Sequence, residues 1–176
     1  MAGAIVGGDG ATTYAGGTSG VTGVAKVQFL APQEFTEEAW FKTTSTQGGK
    51  IIGFGTSTTA DSATADRHLY LSNNGLLNFG VLSGGTARTV TTTAAYNNGQ
   101  WHHVVATLGG SGMRLYVDGS LVGEQAGTTF GRTTTGTGGW PVTRSARCGR
   151  TARPAPGWPD RSTRSRSTRP CSPPSR

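Results

Sequence analysis

Three glutamates stand close together in the stretch QEFTEEAWFK, where two of them could serve as catalytic carboxylates. Glu34 and Glu38 are four residues apart, and Glu37 lies between them. A retaining glycoside hydrolase holds its two carboxyl groups about 5–5.5 Å apart, on either side of the bond it cleaves. Position 36 is a threonine, so no acid completes a close pair on the strand face that Glu34 and Glu38 share. We interpret all three glutamates as polar residues of a surface turn and strand, and we assign no catalytic residue.

Two aspartates in and after the polar loop GTSTTADSATAD could bind a hard cation. Asp61 lies within this loop, and Asp66 closes it just before an apolar run. Carboxylate and main-chain carbonyl oxygens are the ligands that calcium prefers. Asp61 and Asp66 are therefore the candidate calcium ligands, but turn capping is the favoured role of both aspartates. Apart from calcium, we expect no cofactor.

A third group of side chains could hold a ligand by stacking and hydrogen bonding. His68 and Tyr70 are two residues apart in RHLYLS and would share one face of a strand. Tyr96 lies in the turn AAYNNGQ, where we expect exposure. These three residues are the predicted ligand-binding residues. The adjacent His102 and His103 would point to opposite faces of a strand, so we interpret them as structural rather than metal-binding.

The basic charge of the chain belongs to one end of it. The net charge is +7 over 176 residues, yet residues 1–130 carry six basic and eight acidic side chains, whereas residues 131–176 carry ten arginines and one aspartate. The body is therefore mildly acidic, which argues against a general nucleic-acid binder. Both cysteines, Cys148 and Cys171, also lie in the basic end. The sequence shows neither a membrane-spanning run nor the basic start of a signal peptide.

Residues 1–130 are predicted to form a series of short strands. Glycine and threonine are abundant, and apolar or alternating runs are separated by polar turns, which predicts an all-β structure. The pair Asp118-Gly119 predicts a tight hairpin turn. The sequence contains eight such predicted strand segments, and this number fits an antiparallel two-sheet jelly-roll sandwich. The predicted strands are 25–30, 35–43, 50–55, 67–72, 76–82, 87–93, 101–108 and 112–125, the last being a hairpin.

The strand FTEEAWFK has polar and apolar residues on both faces. One face would carry Phe35, Glu37, Ala39 and Phe41, and the other would carry Thr36, Glu38, Trp40 and Lys42. We expect Trp40 to be at least half buried and Glu38 beside it to find a hydrogen-bond partner.

Three long runs carry a family resemblance. They are FTEEAWFKTTSTQGGKIIGFG, DRHLYLSNNGLLNFGV and, most specifically, GQWHHVVATLGGSGMRLYVDG. Together they resemble laminin-G-like jelly-roll domains of the concanavalin A-like lectin/glucanase superfamily, over about residues 25–125. The resemblance implies an antiparallel two-sheet sandwich. It also implies a non-catalytic module of secreted or surface bacterial proteins that binds carbohydrate or protein, in some members with calcium at the rim.

The resemblance ends near Phe130. The family pattern continues with a strand like GYWR and a later one like IDEVAVY, whereas this chain continues with runs such as RSTRSRSTRPCSPPSR. Suitable codons for residues 135–143 and 158–169, read from the third base, encode family-like versions of both strands. We therefore hypothesise a frame change near Gly131. The composition of residues 131–176 predicts disorder. A sandwich without its late strand should be incomplete, marginally stable and prone to aggregation.

These observations predict three segments and one main function. Residues 1–24 form a glycine-rich segment that could hold a first strand, residues 25–130 form the sandwich, and residues 131–176 form a disordered Arg/Pro/Ser-rich tail. The predicted function is non-catalytic binding of carbohydrate or protein by one module of a larger extracellular protein. No specific nucleic-acid or membrane partner is expected. The alternatives are a glycoside hydrolase of the same sandwich superfamily and polyanion binding through the basic tail.

Overall fold

The computed structural model describes residue 11 and residues 29–55, 65–133 and 135–139, and all regular structure in these ranges is β-strand. The predicted strands are confirmed to within about two residues wherever these ranges cover them. The strands are β1 (Phe29–Leu30), β2 (Phe35–Lys42), β3 (Gly49–Gly55), β4 (Ala65–Leu71), β5 (Leu76–Ser83), β6 (Thr86–Ala95), β7 (Trp101–Gly109), β8 (Gly112–Val117), β9 (Ser120–Gln125) and β10 (Thr135–Gly139). No helix in these ranges has the length and apolarity needed to cross a bilayer.

The strands form two antiparallel sheets. One sheet has six strands in the order β1-β10-β3-β4-β5-β6, and the other has four in the order β2-β7-β8-β9. Consecutive strands along the chain switch between the sheets at β1/β2, β2/β3, β6/β7 and β9/β10. The sheets pack face to face, as in a jelly roll, and so confirm the predicted two-sheet antiparallel sandwich.

The core fills the space between the sheets. Along β7, buried and partly exposed residues alternate without a break, as the two-residue period of a half-buried strand requires. The four-stranded sheet contributes Val104, Ala106 and Leu115 to the core, and the six-stranded sheet contributes Leu69 and Phe79, all of which are fully buried. Each such aliphatic or aromatic side chain stabilises the fold by about 1.5–3 kcal/mol.

The β8–β9 hairpin turns as predicted. Asp118 has φ 51° and Gly119 has φ 80°, the two left-handed residues of the turn type that matches strand twist. At the start of β8, Gly112 has φ 93°, and a Cβ there would come within 2.5 Å of the Cα of Ala126. The hairpin therefore closes tightly at both ends, and this fixes the register of β8 on β7 and β9.

The chain beyond Phe130 differs from the prediction of disorder. Gly131 donates its N–H to Gln33 Oε1 at 3.1 Å, and Thr135–Gly139 form β10, which pairs with β1 on one side and β3 on the other. Disorder is therefore the wrong prediction for residues 131–133 and 135–139. Ladder hydrogen bonds are made by main-chain groups, so a run of Gly and Thr can fill a strand position whatever its side chains. Residues 140–176 lie outside the described residues, and the frame change stays a prediction.

Candidate functional site

The structure places two of the predicted ligand-binding residues together. His68 and Tyr70 both lie on β4, on the outer face of the six-stranded sheet. The His68 ring is only partly exposed, and its Nε2 lies 3.2 Å from the Phe54 carbonyl oxygen. Burial and the nearby Lys50 ammonium lower the pKa of His68 to about 3. His68 is therefore a neutral ring held against β3, and it has little free surface for a ligand.

Tyr96, the third predicted ligand-binding residue, lies away from that pair. It follows β6 at one end of the sandwich and is partly buried rather than freely exposed. Its ring meets the His102 ring edge-on, with 5.0 Å between the ring centres. Its N–H donates to the Gly75 carbonyl at 2.8 Å. These contacts show Tyr96 holding a loop against the core.

Asp66, one of the two predicted calcium ligands, already has protein partners. Its Oδ1 accepts hydrogen bonds from the N–H groups of Arg67 and Leu82, each at 2.9 Å, and its Oδ2 is ion-paired with the Arg67 guanidinium. Asp66 is only 4 % exposed. Asp61 lies outside the described residues. Within the described ranges no group of three or more acidic, histidine or cysteine side chains could hold a metal. The calcium site stays a prediction.

Arg67 is the centre of a buried polar cluster that the sequence analysis did not predict. It is 1 % exposed, although arginine is almost never fully buried. Its guanidinium donates to the carbonyl oxygens of Pro32, at 3.1 Å, and Arg132, at 3.2 Å, in addition to Asp66. Arg67 therefore ties β4 to the segment before β2 and to the segment before β10.

Glu37 is the second part of this cluster, and its prediction as a surface residue is wrong. Its position in β2 points it toward the core side of the sheet, beside Phe35 and Ala39. Its Oε2 is buried without a hydrogen-bond partner. Burial raises the pKa of Glu37 to about 8, against the opposing charges of Arg67 and Lys50. Glu37 is thus largely protonated at neutral pH.

A second polar cluster fixes the β8–β9 turn to β7. Asp118 Oδ2 lies 2.8 Å from His102 Nδ1, and Asp118 Oδ1 accepts the His103 N–H at 2.9 Å. The other ring nitrogen of His102 lies 3.0 Å from Asn98 Oδ1, which also accepts the Gln100 N–H. Both ring nitrogens of His102 are therefore held by neighbouring side chains. The Asp118 side chain thus links the run WHH at the start of β7 to the Asp118-Gly119 turn.

We expect Asp118→Ala to lower the free energy of unfolding by about 2–3 kcal/mol, because it removes two hydrogen bonds and places alanine at positive φ. Asp118→Asn should cost only about 1 kcal/mol, because asparagine tolerates the turn and can still accept the His103 N–H. Urea unfolding at neutral pH measures both losses. Glu124→Ala, on the adjacent strand, removes a 3.6 Å surface contact with Arg114 and serves as the control. A loss for Asp118→Ala no larger than for Glu124→Ala would refute the locking role.

The outer face of the four-stranded sheet carries exposed aromatic side chains. Trp40 is 46 % exposed, so it is just over half buried, as predicted. It stacks on the His103 ring, with 4.6 Å between ring centres and 26° between planes. His103 Nε2 in turn lies 2.8 Å from Glu38 Oε1, so the predicted partner of Glu38 is confirmed. The Glu38–His103 contact fixes the orientation of the imidazole ring on which Trp40 stacks.

Strand register extends this surface across the whole sheet. Glu38 lies opposite Val105, which lies opposite Tyr116, and Tyr116 lies opposite Leu121, which is 49 % exposed. Trp40 lies opposite His103, and Lys42 lies opposite Trp101. We call this surface the aromatic face; it consists of Glu38, Trp40, Lys42, Trp101, His103, Val105, Tyr116 and Leu121.

The aromatic face can bind a ring-shaped ligand, but it lacks a hydrolytic carboxylate pair. An exposed indole held flat by a neighbour stacks against the apolar face of a sugar ring, and carboxylate and imidazole groups nearby can bond to hydroxyls. Glu34 and Glu38 are four positions apart, about 13 Å along an extended chain. Glycoside hydrolases hold their carboxyl pairs within about 10 Å of each other. The main-chain positions of these two glutamates are thus spaced more widely than the carboxyl groups of such pairs.

Comparisons with known proteins agree with the sandwich. A laminin-G-type family model, described as "Concanavalin A-like lectin/glucanases superfamily", matches residues 15–159, well beyond the 25–125 of the sequence resemblance. The fold is similar to the native heptameric SAP-like pentraxin from Limulus polyphemus, at 18 % identity and TM-score 0.46. It is also similar to domains LG4-5 of the mouse laminin alpha1 chain, at 21 % identity and TM-score 0.45. No functionally curated protein matches the chain.

The structural similarities cover only part of these proteins. The similar region spans 66 % of this chain and 55 % of the pentraxin chain, and 72 % of this chain and 35 % of the laminin fragment.

Proposed function

Because the chain belongs to the laminin-G-like family of the concanavalin A-like lectin/glucanases superfamily, we propose that it is a non-catalytic module that binds carbohydrate on the aromatic face. Domains of this fold commonly bind carbohydrates or proteins. The observation that favours carbohydrate is the geometry of Trp40, whose exposed indole stacks on the His103 ring. A flat aromatic surface beside polar groups suits a pyranose ring, which has one apolar face and an edge of hydroxyls.

The arrangement of Glu38 and His103 supports the same proposal. Their contact fixes both side chains before a ligand arrives, so binding would cost less side-chain entropy. Glu38 has a second carboxylate oxygen, and its side chain is 61 % exposed, so it can still accept a hydrogen bond from a hydroxyl. The face thus combines a rigid stacking surface with an accessible acceptor.

We expect Trp40→Ala to weaken glycan binding by at least about fivefold, because a central aromatic anchor of a binding site contributes more than about 1 kcal/mol. Affinity electrophoresis against mixed-linkage β-glucan, xylan, galactomannan and polygalacturonate would identify a ligand. Isothermal titration would then compare the variants. Phe130→Ala removes an aromatic side chain that is 55 % exposed at the opposite end of the sandwich, and it should leave binding unchanged. Equal affinity of native protein and Trp40→Ala would contradict the proposal.

The same incubations test the non-catalytic part of the proposal. Reducing ends should not accumulate when the domain is held with any of these polysaccharides. Turnover that is lost in Glu38→Gln or Glu37→Gln would show a hydrolase instead. The extracellular location and the larger parent protein stay predictions.

A further inference from the structure

We infer that the aromatic face selects acidic glycans, with Lys42 pairing with the carboxylate of a uronic acid; this inference rests on the proposed carbohydrate-binding function. It comes from the four residues at one end of the face, where β2 and β7 lie side by side. Trp40 lies opposite His103, and Lys42 lies opposite Trp101. The strands are about 4.8 Å apart, so the four side chains outline a patch of the size of one or two sugar rings.

Two carboxylates lie around this patch, and each of them contacts a histidine. Glu38 Oε1 contacts His103 Nε2 at 2.8 Å. Asp118, at the same end of the sheet, contacts the His102 ring with one oxygen and the His103 N–H with the other. Burial alone would raise the pKa of Asp118, but these hydrogen bonds outweigh it and hold that pKa below its ordinary value. Neither carboxylate forms an ion pair with Lys42.

Lys42 is the cation that remains. Its side chain is exposed, and it has no ion-pair partner within the described ranges. It stands next to Trp40 on its own strand and opposite Trp101 on the neighbouring one. An ammonium group between two indoles complements a ligand that presents a ring and an anion a few ångströms apart.

A uronic acid has this combination, because its carboxylate is attached directly to the pyranose ring. The ring would stack on Trp40, and the carboxylate would reach Lys42. A neutral sugar would satisfy the stacking but leave the ammonium in water. A phosphate or sulfate without a ring would satisfy the ammonium but leave the indoles exposed. The patch therefore favours polyuronates over both.

The test uses one polymer in two charge states. Polygalacturonate and its fully methyl-esterified form share the same backbone, and esterification replaces each carboxylate by an uncharged methyl ester. We expect the native chain to bind the acid form about two- to fivefold more tightly at moderate ionic strength, a range typical of one accessible ion pair. Lys42→Met should abolish this preference while keeping binding of the ester, and Lys42→Arg should retain it.

Arg88→Met provides the matched control. Arg88 is an exposed cation on β6 of the other sheet, so this variant lowers the net charge by the same amount away from the patch. Polyanion binding by the arginines of residues 131–176 would leave the acid-to-ester ratio the same in Lys42→Met and Arg88→Met, and it would overturn the inference. So would tighter binding of dextran sulfate than of polygalacturonate. If both polymer forms bind equally and Trp40→Ala abolishes both, only the charge selection is wrong. If neither form nor any other glycan binds, the proposed function itself fails.

Discussion

Replacing Arg67 by methionine should lower the free energy of unfolding by about 3–5 kcal/mol, a large part of the stability of an ordinary domain. Methionine would fill most of the volume but leave the Asp66 carboxylate buried without its cation. It would also remove the donors to the Pro32 and Arg132 carbonyls. Urea unfolding, monitored by tryptophan fluorescence, would measure the loss.

Arg114→Met is the matched control for this experiment. Arg114 lies on β8, and its side chain is 38 % exposed, with Nε 3.6 Å from Glu124 Oε2. A surface pair of this kind contributes at most about 1 kcal/mol. Where Arg67→Met does not fold at all, the double variant Asp66→Asn with Arg67→Met should recover part of the stability, because it removes the unpaired charge. Equal losses for Arg67→Met and Arg114→Met would contradict the central role of Arg67.

Glu37→Gln should strongly change how the free energy of unfolding depends on pH between pH 5 and pH 8. The pKa of Glu37 is about 8 in the folded chain, against an ordinary value of 4.5. Between these values the folded chain keeps a proton that the unfolded chain has released, so the free energy of unfolding falls as pH rises. The contribution of Glu37 is largest below this window and is lost as pH rises toward 8. The slope is at most about 1.4 kcal/mol per pH unit.

Glutamine cannot ionise, so the variant lacks this slope. We expect Glu37→Gln to match the native stability near pH 5 and to exceed it increasingly up to pH 8. Burial also raises the pKa of Asp66, so the difference between variant and native chain is the quantity to measure. Glu34→Gln makes the same glutamate-to-glutamine change at an exposed position and is the control for the loss of an ordinary, exposed carboxylate. A difference that stays constant from pH 5 to pH 8 would show that Glu37 is not the buried titrating group.

The sequence predicted the strands well because their period and turns are local properties. Alternation in WHHVVATL and the Asp118-Gly119 turn each depend on a few neighbouring residues. The polar clusters could not be predicted in the same way. Arg67 donates to main-chain carbonyl oxygens that lie 35 and 65 residues away along the chain. Every residue has a main-chain carbonyl, so the sequence does not show which of them accept these hydrogen bonds. The burial of Glu37 likewise depends on a neighbour in the opposite sheet.

The aromatic face was partly visible in the sequence. The alternation of FTEEAWFK placed Glu38, Trp40 and Lys42 on one side of a strand. The missing information was which side of β2 faced the core, because each side carries both aromatic and acidic residues. Pairing with β7 decides this, since it places the buried Ala39 against Val104 and leaves Trp40 beside His103. Tyr96 was expected to be exposed in a turn, but its ring is partly buried and packs edge-on against the His102 ring.

The position of β10 in the six-stranded sheet also determines how early the domain can complete its folding during synthesis. β10 lies between β1 and β3, and Arg67 acquires its last acceptor only at Arg132. As a nascent chain leaves the ribosome from its N-terminus, strands β2 to β9 emerge while the six-stranded sheet still lacks an interior strand. Until about residue 139 has emerged, β3 has an open edge and the Arg67 guanidinium lacks one of its acceptors. Completion of the fold is therefore a late event, and the exposed edge of the growing chain is a natural target for chaperones.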